Sequence, residues 1–183
     1  MELSRCSVVR VCKSQGQYRE YGGPPSSAGY WNYRDEELVI YDGKAGGGRS
    51  DSWATLNHEA FHQYIFYFYG NLAPHYWYNE GTGDFFAGYQ LRSGRFVLKP
   101  FAWRVQTIRG AIKSGDYAPM EEFFRYTRTE YYGEDIGQNY AQGWSLIYFL
   151  RTGKKKAQGW NSDWDSILDD YLIALNEEWL EIR

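Results

Sequence analysis

The chain has 183 residues, 43% hydrophobic and 23% charged, with a formal net charge of −3 and a pI of about 5.7. That length suits one domain, and the composition excludes collagen, coiled coil, disorder and a disulfide-dense scaffold. The acidic balance gives no basic nucleic-acid footprint, and no block of one charge sign marks a membrane or phosphate surface.

The first 45 residues read as β-rich. Strands are predicted at Cys6–Lys13, Gln17–Tyr21, Gly29–Tyr33 and Leu38–Asp42, separated by turn signals at 14–16, 22–27 and 34–37. Cys6 and Cys12 are both placed on the first strand. Six steps of ~3.3 Å set them roughly 20 Å apart, beyond the ~7 Å that a disulfide spans, so they are expected to stay unpaired. Residues 43–48 form a glycine-rich loop without the Gly-Lys-Ser/Thr ending of a phosphate-binding loop. From residue 50 onward the pattern is helical. Asp51 or Ser52 is the expected N-cap of a helix running to Tyr69. Further helices are expected at 79–92, 101–114, 119–127, 138–152 and 163–178. Gly81, Gly83 and Gly88 in the second helix cost propensity and point to a close backbone approach. The fold class expected is α+β, a short antiparallel or mixed sheet followed by a mainly helical body, in one domain spanning 1–183.

Two negative findings bound the setting. No uninterrupted apolar run approaches the ~18 residues of a membrane-spanning helix. The first six residues lack a basic segment followed by an apolar one, so no signal peptide is expected, as for a domain trimmed from an exported protein.

The segment that carries chemistry is His58-Glu59-Ala60-Phe61-His62, inside the first long helix. Residues four apart share a helical face, so both imidazoles can reach one metal ion. Glu59 lies about 100° round the helix from His58. It is placed to act as general base toward water at the metal rather than as a ligand. A catalytic zinc site needs a third protein ligand. A third histidine at metzincin spacing would fall at Phe68, with glycine at Ile65, so that pattern fails. The remaining candidates are His75, in a turn, and Glu80, eighteen positions after His62, where a returning antiparallel helix would begin. Asp84 is four residues further on. On the same face, it can accept a hydrogen bond from the outer nitrogen of a ligating histidine.

His58-Glu59-Ala60-Phe61-His62 followed by Asn79-Glu80-Gly81-Thr82-Gly83-Asp84 resembles the gluzincin metallopeptidases of the thermolysin-like clan. Trp77-Tyr78-Asn79-Glu80-Gly81 and the stretch from Tyr140 to Leu150 are more closely similar to bacterial peptidase-MA-like domains. The resemblance covers residues 30–152. It implies a zincin-like fold, Zn²⁺ held by His58, His62 and Glu80, and Asp84 in support. It also implies a peptide or protein substrate, hydrolysed with Glu59 as base. Tyr140, opening the helix that matches the family's Tyr-Ala-Gln segment, is implied as the oxyanion donor, with Tyr131 and Tyr132 as alternatives. The clan's substrate lies along a strand edge, which implies Leu38, Val39, Ile40 and Tyr41 as substrate-binding residues. The aminopeptidase signature Gly-Ala-Met-Glu-Asn is missing, which favours an endopeptidase. Gly81-Thr82 with Asp84 also resembles the aspzincins, where Asp84 would replace Glu80 as ligand, but Phe85-Phe86-Ala87-Gly88 departs from that clan's continuation.

Aromatic residues make up 20% of the chain, which needs its own reading. Tyr30, Trp31, Tyr33 and Tyr41 could stack on sugars or peptides, so a non-catalytic peptide- or carbohydrate-binding domain on a degenerate peptidase fold is the alternative. A metal-dependent hydrolase of non-peptide substrates is a third reading. Phe61, Tyr64, Ile65 and Phe68 recur at helical spacing and are expected to form a buried face, as are Phe123, Phe124, Trp144, Ile147 and Tyr148.

Overall fold

The computed structural model describes residues 7–43 and 52–182. Cys6, Asp51 and most of the glycine-rich loop lie outside the described residues, so the expectations placed on them do too. The class is α+β, a short N-terminal sheet and then mostly helix. The chain divides into two compact units, one of residues 1–70 with 86–99, the other of residues 71–85 with 100–183.

The first unit contains β1 (Val8–Cys12), α1 (Gln15–Glu20), β2 (Gly29–Asn32), β3 (Glu37–Tyr41) and α2 (Ser52–Tyr69). The strand order is β1-β3-β2, with β3 parallel to β1 and antiparallel to β2. β3 is therefore central. Leu38, Val39 and Ile40 are buried, which explains an uninterrupted apolar run rather than an alternating one. Val39 packs with Cys12 and Tyr18 in one cluster. On the other face Ile40 lies beside Thr55 of α2 where Gly29 begins β2. A Cβ on Gly29 would fall 2.6 Å from Thr55 Cγ2, 2.9 Å from Ile40 Cγ2 and 3.1 Å from Glu59 Cγ. Glycine at this position lets α2 seat on the sheet.

Three sequence expectations are corrected here. Gln17–Tyr21 is helical, within α1. Ser14 accepts from the Gln17 amide at 3.2 Å as N-cap, and the helix buries Tyr18. The strand Leu38-Val39-Ile40-Tyr41 is not an edge. β1 and β2 take its hydrogen-bonding groups on either side, so it cannot pair with a substrate backbone. The same unit carries a hairpin of β4 (Tyr89–Arg92) and β5 (Arg95–Leu98), where a helix to residue 92 was expected.

The second unit holds α3 (Tyr76–Ala87, its last two residues counted with the first unit), α4 (Ala102–Ser114), α5 (Met120–Phe123), α6 (Arg128–Tyr131), α7 (Ile136–Thr152) and α8 (Ile167–Glu181). Its core includes Trp77, Tyr78, Ile108, Phe123, Tyr131, Trp144 and Ile147. The helices α3 and α7 meet backbone to backbone. A Cβ on Gly81 would stand 2.6 Å from the Gly143 carbonyl oxygen, and one on Gly143 would stand 3.0 Å from the Trp77 oxygen. The approach foreseen from the glycines of this helix is thus found at Gly81, and it sets the neighbouring Glu80 close to α7. The expected helix 119–127 is split. α5 stops at Phe123, and Thr127 starts α6 with a capping box, its hydroxyl accepting from the Glu130 amide while the Glu130 carboxylate accepts from the Thr127 amide.

The aromatic spacing was only partly a guide to burial. In α2, Phe61 and Ile65 are buried while Tyr64 and Phe68 are exposed, and in the second unit Phe124 is exposed beside buried Phe123.

Candidate metal centre

Helix α2 places His58 and His62 one turn apart, with their Nε2 atoms 2.9 Å apart and their rings at 73°. At that separation at least one nitrogen must carry a proton if nothing else stands between them. A cation that both lone pairs face serves the same purpose. Among the described residues, His58, His62 and Glu80 form a group that could hold a metal ion. Each offers one ligand atom, and these atoms lie within 4.8 Å of one another. Both histidines are half-buried and Glu80 is buried.

The surroundings of Glu80 within its own unit are built by α6 and α7. Asn139 on α7 donates from Nδ2 to the carbonyls of Glu130 (3.2 Å) and Tyr131 (3.0 Å), which fixes the end of α6. Gln142, one turn along the helix, clamps Ala118 through its amide (3.2 Å) and carbonyl (2.7 Å). With the segment held this way, Tyr132 donates its hydroxyl to Glu80 Oε1 at 2.6 Å. The Tyr140 phenol also lies within reach of the Glu80 charge. The rings of Tyr76, Tyr131, Tyr132 and Tyr140 pack together at centroid distances of 5.2 to 6.2 Å. Burial first, and then the charge of Glu80, push the phenols of Tyr131, Tyr132 and Tyr140 well above their ordinary range. They stay protonated, and so remain donors.

Asp84, one turn beyond Glu80, is buried and paired with a partner that the sequence reading did not foresee. Arg104 Nη2 lies 2.5 Å from Asp84 Oδ2, with side chains 6% and 9% exposed. The guanidinium also donates from Nη1 to the Gly137 carbonyl (3.3 Å) and lies over the rings of Trp103 (3.7 Å) and Tyr140 (4.8 Å). A signal for it existed. Arg104 shares a helical face with Ile108 and Ala111, both buried, so a charge stands at a core position and needs a buried partner.

Removal of one member should be costly. Asp84→Ala is expected to destabilise the fold by about 3–5 kcal/mol, because it strands a buried guanidinium. Asp84→Leu with Arg104→Met should recover most of that loss. Chemical denaturation of the two variants checks both values.

His75 is not part of the group. Its backbone amide donates to the Tyr171 hydroxyl at 2.7 Å, and burial lowers its imidazole pKa. Tyr140, expected as the oxyanion donor, packs its ring against Tyr131 and Tyr132 and lies under the Arg104 guanidinium.

A family model described as "Protein of unknown function (DUF1570)" matches residues 52–158, more than half of the chain, and the chain belongs to this family. The matched stretch contains His58, Glu59, His62, Glu80, Asp84, Arg104, Tyr132 and Tyr140. No curated protein and no solved structure matches the chain.

Proposed function

We propose that the chain is a zinc-dependent hydrolase of peptide bonds, of the gluzincin kind. The observation that carries this reading is the convergence of His58, His62 and Glu80 on one point, with Glu59 between the two histidines in sequence. The donor set supports zinc as the occupant. Two imidazole nitrogens and a carboxylate oxygen are the ligands of catalytic zinc sites that keep one position open, and no thiolate or all-oxygen cage is offered. Zinc held there supplies Lewis-acid polarisation of a carbonyl and makes water nucleophilic near neutral pH.

The residues around it divide the remaining work. Glu59 accepts a proton from the attacking water and passes it to the leaving amine nitrogen. Tyr132, donating to Glu80, holds the ligand carboxylate in one orientation. We assign Tyr140, packed against Tyr132 and within reach of the Glu80 charge, as a positioning residue beside it. On that assignment Tyr140→Phe lowers zinc affinity by ~10–100-fold, the range for loss of a group that supports a ligand, while turnover of the zinc-saturated variant changes little. Competitive zinc titration and steady-state kinetics on one sample separate the roles. Unchanged affinity with turnover down by ~10²-fold would restore Tyr140 to the oxyanion.

The activity itself is tested by digesting a peptide mixture with the zinc-loaded chain, the chelated chain and the chelated chain resupplied with zinc. The expected result is cleavage in the first and third and none in the second. Cleavage indifferent to chelation contradicts the proposal, and zinc binding without cleavage of any peptide favours a binding domain.

A further inference from the structure

The hairpin of β4 and β5 has a character that the metal centre does not use. Its register pairs Tyr89 with Leu98, Gln90 with Val97, Leu91 with Phe96 and Arg92 with Arg95. Alternation then puts Tyr89, Leu91, Phe96 and Leu98 on one face, and Gln90, Arg92, Arg95 and Val97 on the other. Ser93 and Gly94, both at positive φ (49° and 75°), make the tight two-residue turn that projects this ribbon.

Near the tip the apolar face is bare, with Leu91 65% and Phe96 71% exposed. The other face ends in two arginines set directly opposite each other, an arrangement that is unfavourable without a counterion. Arg92 donates a bond to Gln90 Oε1 at 3.1 Å on the same face. Residues 85–99 contain three cations (Arg92, Arg95, Lys99) and no carboxylate, in a chain whose net charge is −3.

We infer that the β4–β5 hairpin docks on an anionic lipid surface, with Leu91 and Phe96 entering the interface and Arg92 and Arg95 meeting the headgroups. An exposed apolar pair flanked by cations is the combination that peripheral membrane binding requires, since neither term alone anchors a protein stably. The inference is independent of the hydrolase reading, because none of these residues belongs to the metal centre.

The test is co-sedimentation of the full chain with vesicles of phosphatidylcholine, with and without phosphatidylglycerol. Binding is expected to the anionic vesicles and to weaken as salt is raised. Arg92→Gln with Arg95→Gln should weaken it by roughly 30-fold, the effect of two cations at an anionic surface. Leu91→Ser with Phe96→Ser should abolish it. All four side chains are exposed, so both variants should keep the circular dichroism spectrum and melting midpoint of the parent. Should the serine pair fail to fold, the glutamine pair decides alone. A chain that stays in the supernatant with both vesicle types overturns the inference, as does binding that the variants leave unchanged. In either case the apolar tip is left to a protein partner.

Discussion

Glu59→Gln is expected to keep zinc and lose turnover, by about 10²–10⁴-fold, the contribution typical of a positioned proton carrier. The role of Glu59 follows from its position. Glu59 follows His58 on α2 and lies about 100° away from it, adjacent to both histidines but off the face they share. The stem of its side chain passes close to Gly29, where a Cβ would stand 3.1 Å from Glu59 Cγ. Glutamine reproduces that stem and its volume, so the helix and the two imidazoles should not move. Only the capacity to take and return a proton is removed. Zinc content by mass spectrometry, with peptide turnover on the same preparation, checks the result. Turnover equal to that of the parent would place the base elsewhere.

The second large effect is on metal binding. His62→Ala should weaken zinc binding by more than about 100-fold, beyond the ~10–100-fold that follows loss of a hydrogen-bonded support. The consequence is visible in stability. A ligand present at about 1,000 times its dissociation constant stabilises the folded chain by about 4 kcal/mol. The parent should therefore melt at a clearly higher temperature with zinc than with chelator. The variant should melt at one temperature in both, close to that of the chelated parent, since a half-buried imidazole contributes little packing. A zinc-induced shift of parental size in His62→Ala would remove that histidine from the ligand set.

The parts of this protein that the sequence discloses are those written in local spacing. The i, i+4 histidine pair needs only a helix to become a site, and α2 is long enough to form where expected. The return of Glu80 followed from the room needed for a turn, although α3 starts at Tyr76 rather than at Asn79 and ends at Ala87. The parts that stayed hidden depend on distant partners. β3 becomes the central strand because β1 pairs with it in parallel across an intervening helix and strand, and nothing in Leu38-Val39-Ile40-Tyr41 itself distinguishes a doubly buried strand from an apolar edge. Gln17–Tyr21 reads as a strand because turn signals bound it on both sides, and Ser14, capping the Gln17 amide, decides for a helix. Arg104 was legible in principle as a charge among core positions. Its partner Asp84 had already been assigned to a histidine, and the ion pair emerges only when α3 and α4 are seen in one unit. Tyr132 and Tyr140 were both singled out, but the bond from Tyr132 to Glu80 was not foreseen. Eighteen tyrosines in one chain leave no sequence pattern to tell which ones reach Glu80.

The claim on which the rest depends is that His58, His62 and Glu80 bind one zinc ion. Zinc-edge X-ray absorption on the full chain loaded with one equivalent measures it directly. The expected spectrum is a light-atom first shell at about 2.0–2.2 Å with the outer-shell scattering of two imidazole rings, and Glu80→Ala should lose one oxygen from that shell or fail to retain the metal. A chain that takes up no stoichiometric zinc, or a first shell without two imidazoles, would contradict it.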